Sequence, residues 1–176
     1  MKAKDLLAIY ARYNKDADGA MYGLLDGLSN EEREKGRGSY YGSLSGLARH
    51  VLGGTMFFLG AMAEGVPDNA AAQAAAGPVA GLKVAFEGPV TDAQWGDIRA
   101  AFAVADDALV SFVSSLSDAD LAAPVKWFSG SPPTVPVHFM LSQLVMHNTH
   151  HRGQVSQILD ELGVEHNWSG IGADRL

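Results

Sequence analysis

The segment MLSQLVMHNTHHRGQVSQILDEL, residues 140–162, carries the clearest structural pattern in this sequence. Its inward positions recur at intervals of three and four residues, which is the spacing of one buried face of an α-helix. That face carries Met140, Leu144, His147, His151, Val155, Ile158 and Leu162. Two histidines therefore occupy positions where a purely structural helical bundle would place leucine. We predict a helix from about Val137 to Leu162, ended by Gly163.

Three earlier segments show the same helical periodicity, over about residues 2–28, 39–64 and 91–116. Thr91 is the expected N-cap of the third segment. The connections, residues 66–90 and 117–136, contain several glycines and prolines and are predicted to be two long loops. No strand pattern is visible. The sequence thus predicts an all-α four-helix bundle, with residues 1–176 as a single domain.

The composition limits the classes of partner. The chain has 176 residues, 47% of them apolar, no cysteine and a formal net charge of −7. Its basic residues are scattered, so we expect no nucleic-acid binding. The longest apolar stretch, residues 51–63, is too short to span a bilayer, and the N-terminus lacks the apolar segment of a signal peptide. We expect a cytoplasmic protein without a membrane partner.

The histidines of the last helix form a candidate metal site with a third histidine. His147 and His151 are four residues apart, so they lie only ~40° apart around the helix axis. His50 falls on the predicted inner face of the second helix, with Ser43, Leu47, Gly54, Phe57 and Ala61. A single buried histidine is more often a hydrogen-bonded core residue, but three that meet are costly without a shared partner. We predict one divalent metal ion; zinc, nickel and iron all accept imidazole ligands.

The remaining histidines and the residues close to the candidate ligands are expected to have roles other than metal binding. His150 points about 100° away from His151 and is expected on the helix flank. His138 and His166 are not expected to bind the ion. Gln154 could hydrogen-bond near the site, and Gly153 is expected to permit close helix packing. The paired Gly53 and Gly54 suggest close approach by a neighbouring helix.

Several motifs of the chain resemble those of the DinB/YfiT-like superfamily of metalloenzymes. The strongest is QLVMHNTHHRGQ, residues 143–154, and SYYGSL, residues 39–44, with His50 downstream, is similar to the second helix of that family. YARYN, residues 10–14, resembles its first helix. The resemblance implies a four-helix bundle, often a homodimer, with His50, His147 and His151 as metal ligands. It also implies a small-molecule substrate, since better understood relatives are transferases and isomerases that use bacillithiol, mycothiol or glutathione.

Two classes of function are compatible with such a site. In the first, the ion has an open position that activates water or an external thiol, which gives a thiol-dependent S-transferase or a hydrolase. The chain has no cysteine, so the thiol would be a low-molecular-weight cosubstrate. In the second, the protein is a non-catalytic metal- or ligand-binding stress protein with a structural metal. A plain bundle whose histidines bind nothing tightly is a third possibility.

Overall fold

Four long helices build the body of the protein. The computed structural model describes residues 2–130 and 132–172, so residues 1, 131 and 173–176 of the predicted domain lie outside the described residues. The elements in chain order are α1 (Ala3–Asp26), α2 (Asn30–Glu34), α3 (Leu44–Glu64), α4 (Ala70–Ala80), α5 (Asp92–Ser115), α6 (Asp118–Ala122), β1 (Pro124–Lys126), β2 (Thr134–Pro136) and α7 (Val137–Glu161). Helix α1 packs against α5 and α7, and α3 packs against the same two helices. The predicted all-α four-helix bundle is confirmed.

The ends of two long helices follow from their sequences. The Thr91 hydroxyl accepts a hydrogen bond from the Gln94 backbone N–H at 3.3 Å, and the Gln94 side chain accepts one from the Thr91 N–H at 2.9 Å. This capping box confirms Thr91 as the N-cap of α5. Gly163 follows α7 with a φ of +68°, a conformation that glycine adopts without strain. Within the described residues, no helix has the length and apolar character needed to cross a membrane.

The prediction of a long loop over residues 66–90 is wrong for residues 70–80, which form α4. The helix begins at an Asn69 N-cap, whose Oδ1 accepts a hydrogen bond from the Ala72 N–H at 3.0 Å. Its small inner side chains, Ala72, Ala76 and Val79, are buried against the bundle. Pro78 lies in the last turn, where its missing N–H removes only one hydrogen bond. The Gly77-Pro78 pair favours a loop over a helix. Packing against α3 and α5 nevertheless stabilises the helix.

The predicted loop over residues 117–136 also contains regular structure. Ser117 caps the short helix α6, and β1 and β2 then pair in an antiparallel hairpin with Val125 opposite Val135. Both valines are buried. The prediction that the chain has no strand is wrong, because strands of three residues are too short to show a two-residue alternation.

Helix α3 starts later than predicted, at Leu44 instead of near Ser39. Ser43 is its N-cap and accepts a hydrogen bond from the Gly46 N–H at 3.1 Å. The preceding turn requires Gly42 at a φ of +78°. The predicted inner face of this helix is also partly wrong, since Phe57 is 52% exposed and the neighbouring Phe58 is buried instead.

Candidate metal centre

Helices α3 and α7 bring three imidazoles together in the bundle. Candidate ligand atoms of His50, His147 and His151 all lie within 4.8 Å of one another. The Nε2 atoms of His50 and His147 are 2.8 Å apart, and the rings of His50 and His151 have centroids 4.4 Å apart. The predicted convergence of these three residues is therefore confirmed. Their binding of an ion remains a prediction.

Side-chain amide oxygens are hydrogen-bonded to Nδ1 of two of the three rings, those of His147 and His151. Nδ1 of His147 lies 3.0 Å from Oδ1 of Asn148, and Nδ1 of His151 lies 2.7 Å from Oε1 of Gln154. Because an amide oxygen only accepts, each of these hydrogen bonds requires a ring proton on Nδ1, which in a neutral ring leaves the lone pair on Nε2. The predicted hydrogen bond of Gln154 near the site is confirmed, whereas the role of Asn148 was not predicted.

The surroundings of the three rings favour their neutral form. Burial and the nearby His151 and His147 together lower the pKa of His50 to about 4. Burial also lowers the pKa of His147 and His151, although their hydrogen bonds to the amide oxygens of Asn148 and Gln154 act in the opposite direction and raise it. Neutral imidazole is the form that binds a metal ion, so three neutral nitrogen donors at this spacing fit a divalent cation.

Aromatic side chains wall the group on two sides. The Tyr41 ring stacks on His50 with centroids 3.8 Å apart, and its edge meets His151. The buried Phe58 ring meets His147 edge to face at 5.7 Å. His151 is only 6% exposed, while His50 and His147 are partly buried. Part of the His50 and His147 side chains is therefore exposed to solvent, whereas His151 is buried.

The lack of a side chain at Gly54 leaves room for the His147 ring. A Cβ atom added at Gly54 would lie 2.5 Å from Cε1 and 2.8 Å from Nδ1 of His147. The predicted close approach at Gly54 thus comes from an imidazole of the neighbouring helix, and at Gly53 it comes from the Phe86 ring at 3.1 Å. Gly153 has nothing within 4 Å of such an atom, so the prediction of close packing at Gly153 is wrong.

We expect Gly54→Ala to weaken zinc binding by about 10-fold or more, because the new methyl group displaces a ligand ring that Asn148 otherwise fixes. The measurement is competition for zinc with a chromophoric chelator. Gly60→Ala is the matched control in the same helix, since an added Cβ there meets nothing within 4 Å. It should leave zinc affinity unchanged and stabilise the fold by up to ~1 kcal/mol. Wild-type zinc affinity in Gly54→Ala would contradict the assignment of His147.

The lowered histidine pKa values predict an acid-sensitive fold in chelator-treated protein. Below the ordinary pKa of 6.5 the unfolded chain binds protons that the folded chain does not, because His50 titrates only at about 4. This contribution to stability is complete above pH 6.5 and is lost as the pH falls through 4. Urea unfolding over this range should show a smaller loss in His50→Gln than in wild type. An identical pH dependence in the two proteins would contradict the buried, neutral state of His50.

The other histidines remain outside the group. His150 is exposed on the flank of α7, as predicted, although its ring centroid lies 4.8 Å from that of His151. Nδ1 of His138 donates to the Leu121 carbonyl at 2.9 Å, and Nδ1 of His166 donates to the Val164 carbonyl at 3.1 Å.

A buried polar network beside the three histidines was missed by the sequence analysis. Its members, Asn14, Asp18, Asp106, Asn148 and Arg152, are all less than 5% exposed. The signal in the sequence was the four-residue spacing of Asn14 from Asp18 and of Asn148 from Arg152, which puts each pair on one helix face. What could not be read from one sequence is that these two faces meet.

The all-α bundle and the three histidines brought together by two facing helices place the chain in the class of helical proteins with a candidate metal centre between their helices. The chain belongs to the DinB family, whose family model matches residues 1–173. Its fold is similar to the crystal structure of a DinB-like protein, YjoA, from Bacillus subtilis. The two share 15% sequence identity and a TM-score of 0.63, over 93% of this chain and 99% of that chain. This likeness shows the fold alone. Comparison with curated proteins gives no match.

Proposed function

We propose that the protein is a metal-dependent enzyme of the thiol-dependent S-transferase kind, with hydrolysis as the variant reaction. The observation that supports it best is the group of three histidines, whose ligand atoms lie within 4.8 Å of one another and two of which, His50 and His147, are only partly buried. In zinc enzymes, three protein ligands and one open position are typical of catalytic sites, while structural sites are closed. The family resemblance supports the thiol chemistry.

The donor set suits zinc, nickel or iron, since all three accept neutral imidazole nitrogen. A divalent ion held there would supply a Lewis acid that lowers the pKa of a water or thiol in its open position. The chain's own contribution is to keep the three rings neutral and correctly oriented. Asn148 and Gln154 hold the Nδ1 protons of His147 and His151, and burial disfavours protonation of all three rings.

The nucleophile in this proposal comes from solution, because the chain contains no cysteine. The sulfur of a low-molecular-weight thiol forms a bond with an electrophilic carbon of the substrate. The leaving group departs with its electron pair, and the thiol proton goes to solvent. Tyr41 and Phe58 offer apolar walls beside the histidines against which the carbon skeleton of a small molecule can pack.

The test is transfer of glutathione, cysteine or bacillithiol to 1-chloro-2,4-dinitrobenzene by protein loaded with zinc, nickel or ferrous iron. We expect a rate above that of the free metal and thiol, and its loss in His151→Ala. A parallel assay without thiol, on p-nitrophenyl acetate, tests the hydrolytic variant. Full metal loading without acceleration of either reaction would count against this enzyme class and favour the second candidate.

That second candidate is a non-catalytic protein with a structural metal. It is favoured by the 6% exposure of His151 and by the Tyr41 ring stacked on His50, which together cover part of the centre. In that case chelation would lower the melting temperature without loss of any reaction. The homodimer implied by the family resemblance remains a prediction, which light scattering on the purified protein would test.

A further inference from the structure

A chain of buried hydrogen bonds leads from α1 through the bundle to His147. It passes through Asp18, Arg152, Asn14 and Asn148, with Thr55 at its side, and all five side chains are at most 1% exposed. Buried polar groups are nearly always hydrogen-bonded, with donors facing acceptors. Nε of Arg152 is an exception, since it is buried without a hydrogen-bond partner among the described residues. The orientation of each side-chain amide in the chain therefore depends on the donors and acceptors that face it.

The ion pair between Asp18 and Arg152 orients Asn14. Nη1 of Arg152 donates to Oδ1 of Asp18 at 2.6 Å and to Oδ1 of Asn14 at 2.9 Å. Nδ2 of Asn14 donates to Oδ2 of Asp18 at 2.8 Å. A guanidinium group has no acceptor and an ionised carboxylate has no donor. If the Asn14 amide were reversed, its NH2 group would face the donor Nη1 of Arg152 and its oxygen would face the acceptor Oδ2 of Asp18. Only one orientation of the amide is therefore compatible with the ion pair.

Asn14 in turn orients Asn148. Nδ2 of Asn148 donates to Oδ1 of Asn14 at 3.2 Å and to Oγ1 of Thr55 at 3.0 Å. The Thr55 hydroxyl donates to the Val51 carbonyl at 3.2 Å, which leaves its oxygen as an acceptor. A hydroxyl can rotate and donate instead, so Thr55 alone does not fix the amide. Asn14 fixes the Asn148 amide, because its Oδ1 can only accept a hydrogen bond. The oxygen of Asn148 is consequently the atom that faces Nδ1 of His147.

We propose that the Asp18–Arg152 ion pair sets the tautomer of His147 through Asn14 and Asn148, and that these four are positioning residues for the histidine centre. With the oxygen of Asn148 at Nδ1, the ring proton is held there and the lone pair of Nε2 points toward His50 and His151. The reversed network would present the NH2 group of Asn148 to Nδ1 and move the ring proton to Nε2. That tautomer has no lone pair directed at the centre.

The direct test is the protonation pattern of His147 in chelator-treated protein labelled with 15N at histidine. Long-range 1H–15N NMR spectra distinguish the protonated from the unprotonated ring nitrogen, and His147→Gln identifies the signals. The measurement is made at about pH 8, above the ordinary pKa of histidine. We expect the wild type to show the Nδ1–H tautomer. A wild-type proton on Nε2 overturns the proposal without any further variant.

The remote control of this tautomer is tested with Asn14→Leu. Although Asn14 does not touch His147, its loss should free the Asn148 amide to turn and give a mixture of tautomers. In Asn14→Leu/Asn148→Asp the pure Nδ1–H form should return, because a carboxylate accepts a hydrogen bond whichever way it turns. Met21→Ala is the matched control, since Met21 is fully buried in the same helix but outside the network. It should lose stability and keep the tautomer.

A pure Nδ1–H tautomer in Asn14→Leu would show that Asn148 orients itself and would overturn the remote control. If Asn14→Leu does not fold, Asn14→Ser answers the same question, since its hydroxyl has no fixed direction. The expected consequence for metal binding rests on the proposed function: zinc affinity should fall about 10- to 100-fold in Asn14→Leu. The Nδ1–H tautomer in a wild type that binds no metal would reject that function and retain the network. A wild type that binds metal but has the His147 proton on Nε2 after chelator treatment would retain that function and reject the network.

Discussion

Replacing any one of His50, His147 and His151 by alanine is expected to reduce bound metal from about one ion per chain to almost none. The ligand atoms of the three rings lie within 4.8 Å of one another, so each variant leaves only two of the three converging nitrogens. Loss of a residue behind a ligand typically weakens metal binding about 10- to 100-fold, and loss of the ligand itself should exceed that. The measurement is elemental analysis of protein purified without a histidine tag.

Two other histidines of α7 provide matched controls for this experiment. His150→Ala should retain the metal because His150 is exposed on the flank of the helix. His138→Ala should also retain it, since His138 is hydrogen-bonded to the Leu121 carbonyl outside the group. Unchanged metal content in His151→Ala would remove His151 from the site. Metal loss in His150→Ala would place the site on the other face of the helix. No metal in the wild type, even after reconstitution with zinc, nickel and ferrous iron, would leave only the fold.

The long helices and the meeting of the three histidines were predictable because both depend on one periodicity. A helix of 25 residues such as α7 repeats its apolar spacing several times, and the histidines occupy places in that repeat. Helix α4 was missed for the opposite reason. Its buried residues are small, Gly77 and Pro78 interrupt it, and it is held by packing against α3 and α5. A local pattern does not contain that tertiary contribution.

The polar network was missed because residue type usually predicts exposure for asparagine, aspartate and arginine. The side chains of Asn14 and Asp18 are completely buried, and their hydrogen bonds with Arg152 form where α1 packs on α7. The contact of Tyr41 with His50 was also not predicted. Tyr41 lies in the turn before α3, and its ring stacks on His50 because that turn packs back on the helix. The sequence therefore predicted the candidate ligands, whereas the residues that orient and cover them depend on the packing of helices far apart in the chain.

Asp18→Ala is expected to lower the free energy of unfolding by about 3–5 kcal/mol, because it leaves the Arg152 guanidinium buried without its charged partner. Arg152 is 1% exposed and Asp18 is 0% exposed, so water cannot replace the lost carboxylate. The nearby Asp106 compensates only in part. Burial and the charge of Asp18 raise the pKa of Asp106 well above its usual range, so a negative charge at this buried position is disfavoured. Urea unfolding at neutral pH measures the difference.

The matched control is an ion pair on the surface, in which an aspartate pairs with a lysine. Lys15 and Asp107 are 45% and 65% exposed, so Asp107→Ala should cost less than ~1 kcal/mol. The double variant Asp18→Leu/Arg152→Met should be more stable than Asp18→Ala, because it removes the buried charge together with its partner. If Asp18→Ala costs no more than Asp107→Ala, Arg152 must have found another partner. The expected cost of leaving a buried guanidinium without its charged partner would then be contradicted.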